Sequence, residues 1–123
     1  MITYDYFKKI ELRVGTVVQA QRVENTDKML MLKVDIGSDS VDSEHKVIQL
    51  LAGMGLSYSV QEIIGKQIIV LTNLEPRTMF KGNESINNGQ GLESQGMLLA
   101  SDGENGPILL TVDKKTFEGA TIK

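Results

Sequence analysis

Ile10-Glu11-Leu12-Arg13-Val14-Gly15-Thr16-Val17-Val18-Gln19-Ala20-Gln21-Arg22-Val23 is the stretch whose reading decides the fold. Ile10, Leu12, Val14, Thr16, Val18 and Ala20 alternate with period two, the pattern of a strand with one buried face. Val17 and Val23 fall on the other face. Gly15 lies mid-run, where an isolated glycine suggests a bend or bulge. A long strand that bends can serve two sides of one sheet, which a small closed barrel requires.

The rest of the chain follows from that strand. Asn25-Thr26-Asp27-Lys28 carries turn chemistry. A second strand has Leu30, Leu32, Val34 and Ile36 inward, with Met31, Lys33 and Asp35 outward. Gly37 to Glu44 is polar and acidic and reads as a solvated hairpin loop. A third strand, Lys46 to Ala52, ends in an apolar run expected to be buried on both faces. Ser59 and Glu62 have capping-box spacing, Val60, Ile63 and Ile64 are apolar, and Gly65 suits a C-terminal cap, so a short helix is expected there. Lys66 to Thr72 is a fourth strand. Gly96–Ser101 and Pro107–Val112 are a fifth and sixth, joined by the turn-rich Asp102–Gly106. Gly119–Ile122 adds a short edge strand. At the front, Thr3 caps a one-turn helix, with Ile2 and Phe7 spaced as a hydrophobic staple.

The expected fold is therefore all-β. The order is that of a five-stranded Greek-key barrel of the oligonucleotide/oligosaccharide-binding (OB) type, with a short helix between strands 3 and 4 and extra C-terminal strands. A chain of 123 residues is read as one domain, 1–123. The absence of cysteine excludes disulfides, thiolate metal sites and cysteine nucleophiles, and fits a cytoplasmic location. No apolar run approaches the roughly 18 residues of a membrane helix. Met1–Tyr6 lacks the basic-then-apolar profile of a signal peptide. With a net charge of −3, any surface that attracts nucleic acid must be local.

Two segments carry the functional reading: Asn73-Leu74-Glu75-Pro76-Arg77, and Ser94-Gln95-Gly96-Met97-Leu98-Leu99-Ala100. Each joins a strand edge to small or polar residues, and neither holds an acid, base and nucleophile set. With Phe7–Gly15, Thr26–Leu30, Leu51–Gly53 and Ile64–Lys66, they occur in the order found in the tRNA-binding domain of methionyl-tRNA synthetases and stand-alone tRNA-binding proteins, which this chain resembles. The resemblance spans most of the chain. It implies a non-catalytic, cytoplasmic tRNA-binding module that needs no cofactor. It also implies a homodimer that works as a C-terminal appendage or beta subunit beside a methionyl-tRNA synthetase catalytic body. The alternative it carries is a dimeric, export-chaperone-like protein of the same fold that binds polypeptide.

The chain departs from the family pattern in two places. Lys81–Gln90, rich in Gly and Asn, looks inserted between the two signature segments and is expected to be a mobile loop. Thr78 also follows Arg77 where a second base is usual.

RNA recognition combines cations along phosphates with planar or apolar groups on bases. Arg13 and Lys33 sit on outward positions of strands 1 and 2, either as phosphate contacts on one face or as ordinary surface residues. Arg77 and Lys81 would stand at the rim. Asn73 either reads a base edge or pins the turn before Pro76. Ser94 offers a hydroxyl beside Gly96, where backbone can approach a ligand. Met97 contacts a base or fills the core. Lys28 can reach phosphate from its turn. Phe80 is the one aromatic placed in the rim. His45, without a clustered carboxylate partner, is not expected to bind metal or transfer protons.

Overall fold

The computed structural model describes residues 1–40 and 42–123. Ten strands follow in chain order: β1 (Leu12–Arg22), β2 (Leu30–Asp35), β3 (Val47–Ala52), β4 (Gln67–Leu71), β5 (Arg77–Met79), β6 (Leu92–Ser94), β7 (Met97–Leu98), β8 (Ala100–Ser101), β9 (Ile108–Leu109) and β10 (Thr121–Ile122). Helix α1 (Tyr4–Phe7) precedes β1 and α2 (Val60–Ile63) joins β3 to β4. The principal sheet runs β3-β2-β1-β4-β7, with β10 on β1. It is a mostly β, nearly closed barrel-like sheet of OB type.

β1 does serve two sides. Leu12 to Thr16 pair with Leu71 to Gln67 of β4, and Thr16 to Arg22 pair with Asp35 to Leu30 of β2. The expected alternation is broken by a register shift between Val17 and Gln19. As a result Val17 is 1% exposed and Val18 50% exposed, the reverse of the sequence expectation. The extra residue of a bulge turns the strand by one position, which no alternation rule foresees. Gly15 serves a different purpose from the bulge. A Cβ there would lie 2.5 Å from Val34 Cγ1, so glycine lets β2 close over β1.

The core comprises Val17, Leu30, Leu32, Val34, Ile48, Leu50, Ile63, Ile68 and Val70 with smaller neighbours. β2 alternates as expected. β3 is not buried on both faces: Ile48, Leu50 and Ala52 point inward, Gln49 and Leu51 are half-buried, and Val47 is exposed. The Ser59–Glu62 capping box forms, with Ser59 Oγ accepting from Glu62 N and Glu62 Oε1 accepting from Ser59 N. This seats Ile63, fully buried, in the core, where it stabilises by about 2–3 kcal/mol. Thr3 caps α1, but Ile2 stays exposed, so the expected staple buries nothing there.

The fifth expected strand is split. β7 pairs with β4 and β8 pairs with β9, and Leu99 between them donates to Ile69 O and accepts from Leu110 N. The sixth shortens to Ile108–Leu109. Between β3 and the segment leading into β7 the barrel is closed by one backbone bond and two side-chain bonds. Gln95 N donates to Gln49 O at 2.8 Å, Gln49 N to Gln95 Oε1 at 2.8 Å, and Leu51 N to Ser94 Oγ at 3.0 Å.

The Lys81–Gln90 insertion is built rather than free. It tips the β5–β6 hairpin, in which Arg77, Thr78 and Met79 face Ser94, Glu93 and Leu92. Backbone bonds Gly82 N to Gly89 O and Ile86 N to Asn83 O fold it on itself. Ile86 is buried, and Asn25 Nδ2 donates to Ser85 O at 2.8 Å, which docks the tip on the β1–β2 turn. The Gly37–Glu44 loop is mostly exposed, and its residue 41 lies outside the described residues.

Candidate nucleic-acid interface

The expected cations divide into two groups. Arg13 lies in the half of β1 held between β4 and β10, where its Nη1 donates to Gly119 O at 3.2 Å and its Nη2 pairs with Glu11 at 3.5 Å. It lines a cleft of about 280 Å³ shared with Lys46 and the carboxylates of Glu11, Asp39 and Glu44. Lys33 opposes Gln19 in the other half, roughly 20 Å along the strand by its rise per residue. Arg13 and Lys33 therefore stand well apart along β1 rather than side by side.

Lys33 instead heads a strip that crosses to the hairpin. Its Nζ donates to Gln49 Oε1 at 2.7 Å, and Gln49 Nε2 donates to Glu93 O at 2.8 Å. Glu93 faces Thr78, next to Arg77, on β5. The barrel-closing Gln49 thus ties the β2 cation to the strands that carry the rim. Arg77, Lys81 and Lys28 are exposed. The ion pairs among the described residues are Arg13–Glu11 and His45–Asp35, so Lys28, Lys33, Arg77 and Lys81 hold no carboxylate. Met97 is 46% exposed and available on the surface beside β4, not filling the core.

Two polar candidates already spend their hydrogen bonds on the protein itself. Asn73 Oδ1 accepts from Glu11 N at 2.9 Å and its Nδ2 donates to Lys9 O at 2.6 Å. It pins the exit of α1, whose Tyr4 and Tyr6 rings lie under Lys8 and Lys9. Ser94 is buried, accepting from Leu51 N and donating to Gly96 O at 3.1 Å. Gly96 is required there by close approach, since a Cβ would meet Leu71 O at 2.8 Å. Sequence reasoning missed Gln49, which shows itself only through its partners Lys33, Glu93 and Gln95.

His45 does have clustered carboxylate partners, contrary to the sequence expectation. Its Nδ1 lies 2.8 Å from Asp35 Oδ2, and Glu118 completes a trio whose ligand atoms all lie within 4.8 Å of one another. Asp35 also accepts from Gly37 N and Glu118 from Thr16 Oγ1, so the trio clasps the C-terminal segment to β1 and β2. The hydrogen bond to Asp35 and then its charge, with a smaller push from Glu118, hold the His45 pKa above its ordinary 6.5. Because the folded value is raised, the clasp stabilises fully below pH 6.5 and fades as pH rises through the folded pKa. A proton NMR titration of His45 should give a midpoint above 6.5 that falls back in Asp35→Asn. An unchanged midpoint in that variant would contradict the clasp.

A nearly closed barrel of this strand order defines a domain of OB type. Residues 12–121 match the family described as "Putative tRNA binding domain", and the chain belongs to that family. It is 39% identical over 121 residues to a methionine–tRNA ligase of Caldanaerobacter subterraneus subsp. tengcongensis, covering 98% of this chain but only 16% of that enzyme. The fold is similar to a MetRS-related protein from Pyrococcus horikoshii, with a TM-score of 0.79 and 27% identity over 100% of this chain and 98% of that one. A CsaA chaperone protein from Picrophilus torridus is similar too, with a TM-score of 0.77, 27% identity and full coverage of both chains.

Proposed function

We propose that residues 1–123 act as one non-catalytic tRNA-binding module, as a C-terminal appendage or beta subunit of a cytoplasmic methionyl-tRNA synthetase. The observation that carries this reading is the set of carboxylate-free cations, Lys28, Lys33, Arg77 and Lys81, on a chain of this family. Arg13 and Met97 extend the contact surface, while Asn73 and Ser94 hold its supports in place. The module raises the local concentration of tRNA beside a catalytic body, and a homodimer presents two such rims. No cofactor takes part.

The likeness to a chaperone, with Val18, Val47 and Met97 exposed, supports polypeptide binding as the second reading. Salt separates the two. Affinity for tRNA should fall steeply and log-linearly with salt, because phosphate contacts release counterions. Apolar peptide capture should survive. Failure to retain tRNA on a filter at low salt would reject the first reading.

A further inference from the structure

The insertion does more than lengthen a hairpin. Where its tip docks on the β1–β2 turn, the two enclose a cleft of about 290 Å³ lined by Asn25, Asp27, Lys28, Met29, Phe80 and Asn83 among others. That volume sits at the lower end of small-ligand sites. We propose that this cleft receives one unstacked nucleobase of the bound RNA, with Lys28 on the adjoining phosphate. The proposal rests on the tRNA-binding reading and adds to it a defined base site.

Four observations carry it. Phe80 is half-buried in the cleft wall and its φ is +65°, a conformation that bulky side chains rarely adopt. The hairpin therefore holds an aromatic ring at this place against local preference. Lys28 has an exposed ammonium free of any carboxylate, and its stem lies along Gly53, with Cε 3.4 Å from where a Cβ would be.

The amides supply the edge-reading groups. Asn25 uses its Nδ2 on Ser85 O, which leaves its Oδ1 to accept. Asn83 uses its Oδ1 on Ser85 N and Oγ, which leaves its Nδ2 to donate. A free acceptor, a free donor, an aromatic ring and a cation are the set by which proteins hold a splayed base. Asp27 adds a further acceptor for an exocyclic amine. Tyr58 lines another cleft, but Glu104 stands there without a cation and the tyrosine hydroxyl already accepts from Leu109 N.

The test measures binding of fluorescently labelled bulk tRNA by anisotropy across a salt series. Phe80→Leu should bind about tenfold more weakly, since stacking is lost while apolar volume stays, and Phe80→Tyr should remain within about twofold. Lys28→Gln should make the salt slope shallower by about one. Ultraviolet crosslinking of the wild-type complex, read by mass spectrometry, should join RNA to the peptide containing Phe80 or Asn83. That arm needs no variant to fold. If wild type binds tRNA but Phe80→Leu matches it, or no crosslink forms at the insertion, the base site is overturned and the tRNA reading stands. If wild type binds no tRNA at low salt, the underlying reading has failed.

Discussion

The double variant Arg77→Ala, Lys81→Ala is expected to bind tRNA at least about tenfold more weakly at low salt, with a salt slope shallower by about two. Both residues are exposed, and neither meets a carboxylate. Arg77 is fixed on β5 by the pairing with β6, and Lys81 follows Phe80 at the hairpin tip. Their charges are therefore held outward by backbone rather than waving on a free loop, and their removal should act on phosphate contacts without disturbing the core. Lys66→Ala, an exposed cation after α2, should leave the slope unchanged. Equal slopes for the double variant and wild type would remove the hairpin from the interface. A polypeptide-binding protein would show no such change.

Gly37→Ala is expected to destabilise the fold by about 3–4 kcal/mol, combining a left-handed backbone penalty with an overpacking term. Gly37 has φ +83°, and a Cβ there would lie 2.2 Å from Glu118 O and 3.0 Å from Gly119 Cα. Those are backbone atoms, so no side-chain rotation relieves the clash. Gly119, at φ +88°, is locked on its own side by donating to Val14 O at 2.7 Å. The comparison that isolates the crossing is Gly65→Ala. Gly65 shares φ +88° but has nothing within 4 Å of a Cβ, so only the conformational term of about 1–2 kcal/mol applies. Thermal unfolding of both variants measures the difference. Equal losses would show that the crossing is not tight. Hydrogen exchange should locate the damage at the Val14 and Gly119 amides, which bond across the crossing.

Much of the architecture was legible because a half-buried strand writes its orientation into alternate residues. β2 and the Ser59–Glu62 cap are local, and both stand as read. Val17 and Val18 were exchanged because the bulge depends on how β1 meets β2, not on its own composition. Gly96–Ser101 was read as one strand because its residues are uniformly strand-like, whereas the change of partner at Leu99 is set by β4 and β9.

The site divides the same way. Exposed cations could be found from pattern. Whether an amide or hydroxyl is free cannot be, because the answer lies far along the chain. Asn73 is tied to Glu11, Ser94 to Leu51, and His45 sits with Glu118. The insertion was read as mobile from its glycines and asparagines. Those residues in fact supply the left-handed turns at Gly82, Asn87, Asn88 and Gly89 that let Ile86 reach a buried seat.

β10 has a consequence for how this protein is made. Leu12 and Arg13 take Ile122 and Thr121 as partners on one edge and β4 on the other. On a ribosome, β1 and β2 can pair early, but the edge at Leu12–Arg13 stays open until Thr121 and Ile122 emerge. During that interval the nascent chain presents bare strand hydrogen-bonding groups to its neighbours. Thr121 and Ile122 are thus the residues that withdraw β1 from competition with other chains.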